Sequence, residues 1–195
     1  MTSGPEGFGK VPFTAKVDFA NGIVSPFHNK TERKLGDIRD FFSDPAAVEK
    51  ALAEGNRTVY EAYEIRTPDR AGELSWCTTI IHPGSVGGEF HMTKGHFHKK
   101  DDSTEIYIGV KGTGCLICQT RDDKFVSEEI SPGSVSLVPA LWAHRVVNTG
   151  DVDLIIMAVY ASDAGHDYGF IEKKGFLNIV ADEGGGVVFK KNPKY

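Results

Sequence analysis

The stretch TKGHFHKKDDSTEIYIGVKGTG, residues 93–114, decides how the chain is read. His96 and His98 are two apart, and on a strand that spacing puts both imidazoles on one face. Glu105 and Tyr107 repeat the arrangement on the strand that follows. Two histidines and a carboxylate turned inward among apolar neighbours cost free energy unless something pairs with them. A metal ion is the simplest partner, and imidazole with carboxylate suits Fe, Mn, Ni, Co or Zn.

A second stretch, PGSVSLVPALWAHRVVN at residues 132–148, reads as a turn, a strand, a break at Pro139 and a strand carrying His144. His144, Val146 and Asn148 then share a face. A barrel brings His144 beside His96, His98 and Glu105, a set of three nitrogens and one oxygen. On an octahedral ion this leaves two positions for water or substrate. An H-x-H alone is a weak signal, and satisfied core histidines are the bland alternative. Two independently spaced segments together carry the metal reading. His28 and His82 sit in turn-like contexts and read as surface residues, and His91 is out of phase with His96. Lys94 and Arg145 alternate with the ligands and are expected outside the barrel.

Outward from these segments, the chain beyond residue 56 is a series of short runs rich in β-branched and aromatic residues. TVYEAYEI, LSWCTTII, EIYIGV, GCLICQT, FVSEEI, SVSLVP, HRVVN and DLIIMAVY are separated by turn residues such as PDRAG, HPGSVGG, KGTG, RDD, SPG and NTGD. Many short strands with polar turns predict an all-β sandwich or closed barrel, not an α/β sheet. FLNIV and GVVFK in the tail add strands at its edge. Before residue 56, SDPAAVEKALAEG reads as a helix capped by Ser43 or Asp44, with Pro45 in its first turn and Gly55 at its end. GDIRDFF, residues 36–42, reads as a short amphipathic turn or helix.

The bulk composition narrows the function classes. The chain has 195 residues, 40 % hydrophobic and 25 % charged, which suits one globular domain that buries a core without staples. A net charge of −5 with no basic block argues against a nucleic-acid surface. The start MTSGPEGFGK lacks the apolar run of a signal peptide. No stretch approaches the roughly 20 apolar residues that span a bilayer. The expectation is a cytoplasmic protein with no membrane partner. Cys77, Cys115 and Cys118 read as reduced thiols. Cys115 and Cys118 form a C-x-x-C, but three apart on a strand they face opposite ways, and no second pair completes a zinc site.

The two histidine segments resemble the paired motifs of cupins. In the second, Gly133, Pro139, His144 and Asn148 match G-x5-P-x4-H-x3-N, although Leu141 stands where many cupins carry glycine. In the first, Lys99 to Thr104 separate His98 from Glu105, a longer gap than common cupins have, and Gly112 follows at the usual distance. That gap is similar to the one in cupin-type glucose-6-phosphate isomerases, known chiefly from archaea and some bacteria. KVDF, TVYEAYEI, TTIIHPGSVGGEFHMTKGHFH, EIYIGVKGTG, LVPALWAHRVVN and AVYASDAGHDYGFIEKKGF resemble strings found in that family in the same order.

The resemblance implies an all-β cupin fold, a double-stranded β-helix or jelly-roll barrel, with one or two short N-terminal helices. It implies a single domain over residues 1–195 with an N-terminal extension, about 1–56, packing on the barrel. It implies a homodimer that interconverts glucose 6-phosphate and fructose 6-phosphate in glycolysis and gluconeogenesis. One divalent ion per subunit, Fe2+ foremost with Mn2+, Ni2+ or Zn2+ as others, would sit on His96, His98, Glu105 and His144. The sugar phosphate would be held near Tyr60, Thr79, Thr93, Gly95 and Tyr160, with Tyr107 and His166 on the sugar chain. Glu105, Tyr160 and His166 would carry the catalysis. Two routes stay open: a proton shuttled by Glu105 through a cis-enediolate, the expected one, and a hydride shift in which Glu105 only holds the ion. Another metal cupin enzyme, a dioxygenase or sugar epimerase, or a non-catalytic sugar-phosphate-binding cupin are the competing functions. Activity on mannose 6-phosphate stays open.

Overall fold

The computed structural model describes residues 11–195. The opening run MTSGPEGFGK, and with it the leader reading and the start of the extension, lies outside them. In chain order, β1 (Lys16–Val17), β2 (Val24–Ser25) and β3 (Asn29–Lys34) precede a 3-10 segment (Leu35–Phe41) and helix α1 (Pro45–Glu54). Then come β4 (Thr58–Ile65), β5 (Leu74–Ile81), β6 (Ser85–Val86), β7 (Glu89–Phe90), β8 (Phe97–His98), β9 (Glu105–Lys111) and β10 (Gly114–Gln119). They are followed by β11 (Phe125–Ile130), β12 (Val135–Val138), β13 (Ala143–Asn148), β14 (Leu154–Ala161) and β15 (His166–Asp167). Helix α2 (Gly169–Lys174) and the hairpin β16 (Asn178–Glu183)–β17 (Gly186–Lys191) end the chain.

The strands form the two layers of a cupin barrel, as expected. One layer is a six-stranded antiparallel sheet in the order β12-β9-β14-β5-β4-β3. The facing layer is β11-β10-β13, extended by the run 91–98, which meets β13 through the bridges Met92–Val147 and His96–His144. The interior is apolar at one end, around Ile81, Leu116, Val138, Leu154 and Ile156. Period-2 alternation along β13 divides this work: His144 and Val146 face the cavity between the layers, while Arg145 and Val147 face the other way.

The helical expectations hold with a defined cap. The Asp44 carboxylate accepts from the N–H groups of Ala46 at 2.9 Å and Ala47 at 3.0 Å, Pro45 opens α1, and Gly55 closes it at φ +145°. GDIRDFF lies in the 3-10 segment, with Leu35 and Ile38 buried and Ile38 off helical geometry. The tail strands form as the β16–β17 hairpin. Several elements escaped the sequence reading, among them the short strands β1, β2, β6, β7 and β15, the strand β3 and the helix α2. β3, NKTERK, pairs with β4 and makes the N-terminal third part of the large sheet. Helix α2 follows the AGHDYG string.

Cys115 and Cys118 lie buried on β10 as free thiols, and burial pushes both up to about 12. Arg145 does face away from the cavity, but it is fully buried rather than exposed. Its Nε and Nη2 donate to the Lys94 carbonyl at 3.2 and 2.8 Å, and its guanidinium lies over the Phe176 ring at 4.6 Å. Lys94, expected outside the barrel, lines the cavity as part of the 93–96 run but turns its ammonium to the Phe41 ring at 5.1 Å. His82 and His28 are half-buried. His82 Nδ1 meets Asp153 at 2.8 Å, and His28 Nδ1 accepts from the Arg66 N–H at 3.0 Å. His91 is buried away from the ligand group, donating from Nδ1 to the His82 carbonyl at 3.0 Å.

Asn148, the last residue of the second motif, bolts the layers together. Its Nδ2 donates to the carbonyls of Ile81 at 2.7 Å and Val152 at 2.9 Å, and its Oδ1 accepts from Gly150 at 3.0 Å. Asn148→Ala leaves these buried groups unpaired, and denaturant unfolding should show a loss of about 3 kcal/mol.

Candidate active site

His96 and His144 face each other across a narrow antiparallel bridge, with His96 N–H to His144 O at 3.2 Å and the reverse bond at 3.1 Å. Their rings stand 4.5 Å apart, and the His98 ring is 5.5 Å from His96 and 5.1 Å from His144. β9, from the opposite layer, brings Glu105 to them. Glu105 Oε2 is 3.1 Å from both His98 Nε2 and His144 Nε2. One donor atom from each of the four side chains lies within 4.8 Å of every other.

The donor set fits a metal ion. Two atoms bound at right angles to one ion, each about 2.1 Å from it, stand about 3.0 Å apart. His96 Nε2 is buried without a hydrogen-bond partner, and His144 Nε2 is out of line for one despite its closeness to Glu105. The other ring nitrogens of His98 and His144 donate at 3.3 Å to the carbonyls of Ser103 and Trp142, which orients both rings with Nε2 toward the cluster.

Electrostatics follow from the crowding. Burial works against the Glu105 carboxylate, yet His144, His98 and His96 overrule it and hold the group well below the usual carboxylate range. Burial, reinforced by His144 and His166, holds His96 well below the ordinary imidazole value. Burial, then Glu105, keeps the Tyr107 hydroxyl well above its usual pKa.

This cluster forms one wall of a cavity of about 290 Å³ between the layers. The sequence-predicted positions Tyr60, Thr79, Thr93, Gly95, Tyr107, Tyr160 and His166 all line it, together with His96, Glu105 and His144. His166 stacks on Tyr168, with ring centroids 5.7 Å apart and planes 17° apart, and reaches within 4.3 Å of the His96 ring. Although the residue is exposed at the cavity mouth, desolvation by the groups crowded around its ring lowers its pKa. Sequence reasoning missed Thr31, Arg33, Glu64, Arg66, Cys77 and Tyr168, which also line the cavity. Tyr168 carried a signal, since it stands two residues beyond His166 in the same AGHDYG string. Cys77 stands two before Thr79 on β5 in the same way. Arg33 and Thr31 carried none, because β3 was not read as a strand.

With the geometry established, comparison with known proteins settles the family. A family model described as glucose-6-phosphate isomerase (GPI) matches residues 32–195. The chain belongs to that family. A glucose-6-phosphate isomerase from Thermococcus litoralis is 46 % identical over 186 residues, covering 95 % of this chain and 97 % of its own. One from Pyrococcus furiosus is 44 % identical over 188 residues, covering 95 % and 98 %. A bacterial one from Sinorhizobium medicae is 34 % identical over 177 residues, covering 90 % and 83 %. Among solved structures, an oxalate oxidase aligns with a TM-score of 0.49 and 15 % identity, over 60 % of this chain and 58 % of that one.

Gly95 shows how tightly the ligand segment is held. Its φ is +71°, and a Cβ there would stand 2.6 Å from Phe176, 2.8 Å from the His144 carbonyl and 2.9 Å from Arg145. Gly95→Ala should push the 93–96 run off β13. Elemental analysis of the purified variant is expected to give well under half of the wild-type content of bound transition metal.

Proposed function

We propose that the chain interconverts glucose 6-phosphate and fructose 6-phosphate, using a divalent ion, Fe2+ foremost, held by His96, His98, Glu105 and His144. The observation that carries this reading is a four-donor cluster opening into a cavity lined by hydroxyls, in a chain of this family. Tyr60, Thr79, Thr93 and the Gly95 N–H would receive the phosphate, glycine allowing the backbone to come close. Tyr107, Tyr160 and His166 would hold the sugar chain. The bound ion supplies a Lewis acid for the two sugar oxygens that exchange carbonyl character.

In the proton route, Glu105 takes the hydrogen from C2 of the aldose as a proton, giving a cis-enediolate, and returns it to C1. Tyr160 and His166 orient the sugar hydroxyls. The depressed pKa of Glu105 favours a second reading, since a carboxylate so stabilised is a weak base. In that reading the C2 hydrogen moves to C1 as a hydride and Glu105 acts only as a ligand. The three free cysteines support the reading of a cytoplasmic enzyme, since thiols stay reduced there. Among the described residues, no helix is long and apolar enough to cross a membrane.

A coupled assay on fructose 6-phosphate tests the reading. Turnover should fall by at least tenfold after chelation and return when Fe, Mn, Ni or Zn is added back singly. Binding without turnover would instead favour a non-catalytic cupin, and oxygen consumption a dioxygenase. Run in D2O, the proton route places deuterium on the carbon that receives the hydrogen; complete retention of the substrate hydrogen counts heavily against it.

The functional unit is proposed to be a homodimer. Val135 and Leu137 on the edge strand β12 are 68 % and 64 % exposed, and Ile106 beside them is 39 % exposed. These residues form an apolar outer surface suited to a second copy of the chain. Leu137→Glu should shift the mass measured by light scattering from dimer to monomer; an unchanged mass rejects this face.

A further inference from the structure

One cation lining the cavity, on β3, forms no salt bridge among the described residues. On β3 the alternation turns Thr31 and Arg33 toward the cavity and leaves Lys30, Glu32 and Lys34 exposed. The register sets Arg33 opposite Tyr60 on β4, itself a cavity residue. The Arg33 guanidinium lies close enough to the Tyr60 and Tyr168 hydroxyls to favour their ionised forms, against burial that pushes Tyr60 up to about 12.

The other cations nearby are engaged. Arg66 Nε donates to Glu64 at 2.8 Å. Arg145 faces away and holds the Lys94 carbonyl, and Lys94 itself lies on Phe41. Arg33 forms no salt bridge with a carboxylate among the described residues; Nη1 donates to the Glu32 carbonyl at 3.3 Å, and the side chain also hydrogen-bonds the Tyr60 hydroxyl, a neutral partner. A half-buried guanidinium calls for an anion, and its planar fork matches phosphate oxygens. The hydroxyls of Tyr60, Thr79 and Thr93 donate hydrogen bonds but cannot neutralise a dianion.

We propose that Arg33 is the specificity-determining residue that selects phosphorylated sugar, closing over the phosphate from the N-terminal edge strand. This rests on the phosphosugar reading of the cavity. The phosphate takes no part in bond exchange, so Arg33 acts through binding and through capture of the dianion, an effect that weakens with salt.

The test compares wild type with Arg33→Met, which keeps the aliphatic stem, and Arg33→Lys, which keeps the charge but not the fork. For fructose 6-phosphate, kcat/KM should fall about 10- to 100-fold in Arg33→Met, mainly through KM, and less in Arg33→Lys. Competitive inhibition by inorganic phosphate should weaken in parallel, with bound metal per subunit unchanged. Wild-type values of both kcat/KM and phosphate inhibition in Arg33→Met overturn the proposal. If Arg33→Met is unfolded by circular dichroism, Arg33→Lys decides by the same two readouts. Wild type without turnover on fructose 6-phosphate overturns the functional reading instead. Calorimetric titration with inorganic phosphate then judges Arg33 by itself: weaker binding in the variant upholds it, and equal binding rejects it.

Discussion

Burying the Glu105 carboxylate costs several kcal/mol, and the fold offsets that cost by surrounding it with imidazoles. The carboxylate is 5 % exposed, and its Oε2 is 3.1 Å from two histidine nitrogens. Those histidines come from opposite ends of the motif region, one on β8 and one on β13, while the carboxylate comes from the facing layer. Meeting this one electrostatic demand therefore requires both layers of the barrel to be in register. The His96–His144 bridge and the Asn148 bolt keep that register from two places along β13.

Much of this was legible in the sequence, for a simple reason. A period of two is short, so His96, His98, Glu105 and Tyr107 declare their faces within a few residues. His144 declares its face against Val146 and Asn148. The turn residues between apolar runs marked the strands beyond residue 56. Cap chemistry marked α1, where only Asp44 of the two candidate residues bonds the first-turn N–H groups.

What escaped reading lacked a local signal. NKTERK alternates between cavity and solvent, but both faces are polar, so no hydrophobic period marks it as strand. Its inward residues face a hydrophilic cavity rather than a core, and Arg33 was lost with it. Helix α2 spans six residues, too few to show a helical period. For Arg145 the alternation indicated the right direction, but not what covers it. The aromatic rings over it belong to Phe41 and Phe176, each distant in the chain.

Arg145 also relates the two ends of the chain to the site they flank. Through the Lys94 carbonyl it grips the peptide just before Gly95 and His96, and it is itself gripped by Phe41 from the N-terminal third and Phe176 from the C-terminal part. The terminal portions thus act as a splint on the ligand-bearing segment. A trimmed barrel that retained every donor residue would still have lost the brace that keeps them aimed, so the smallest working unit is larger than its chemistry suggests.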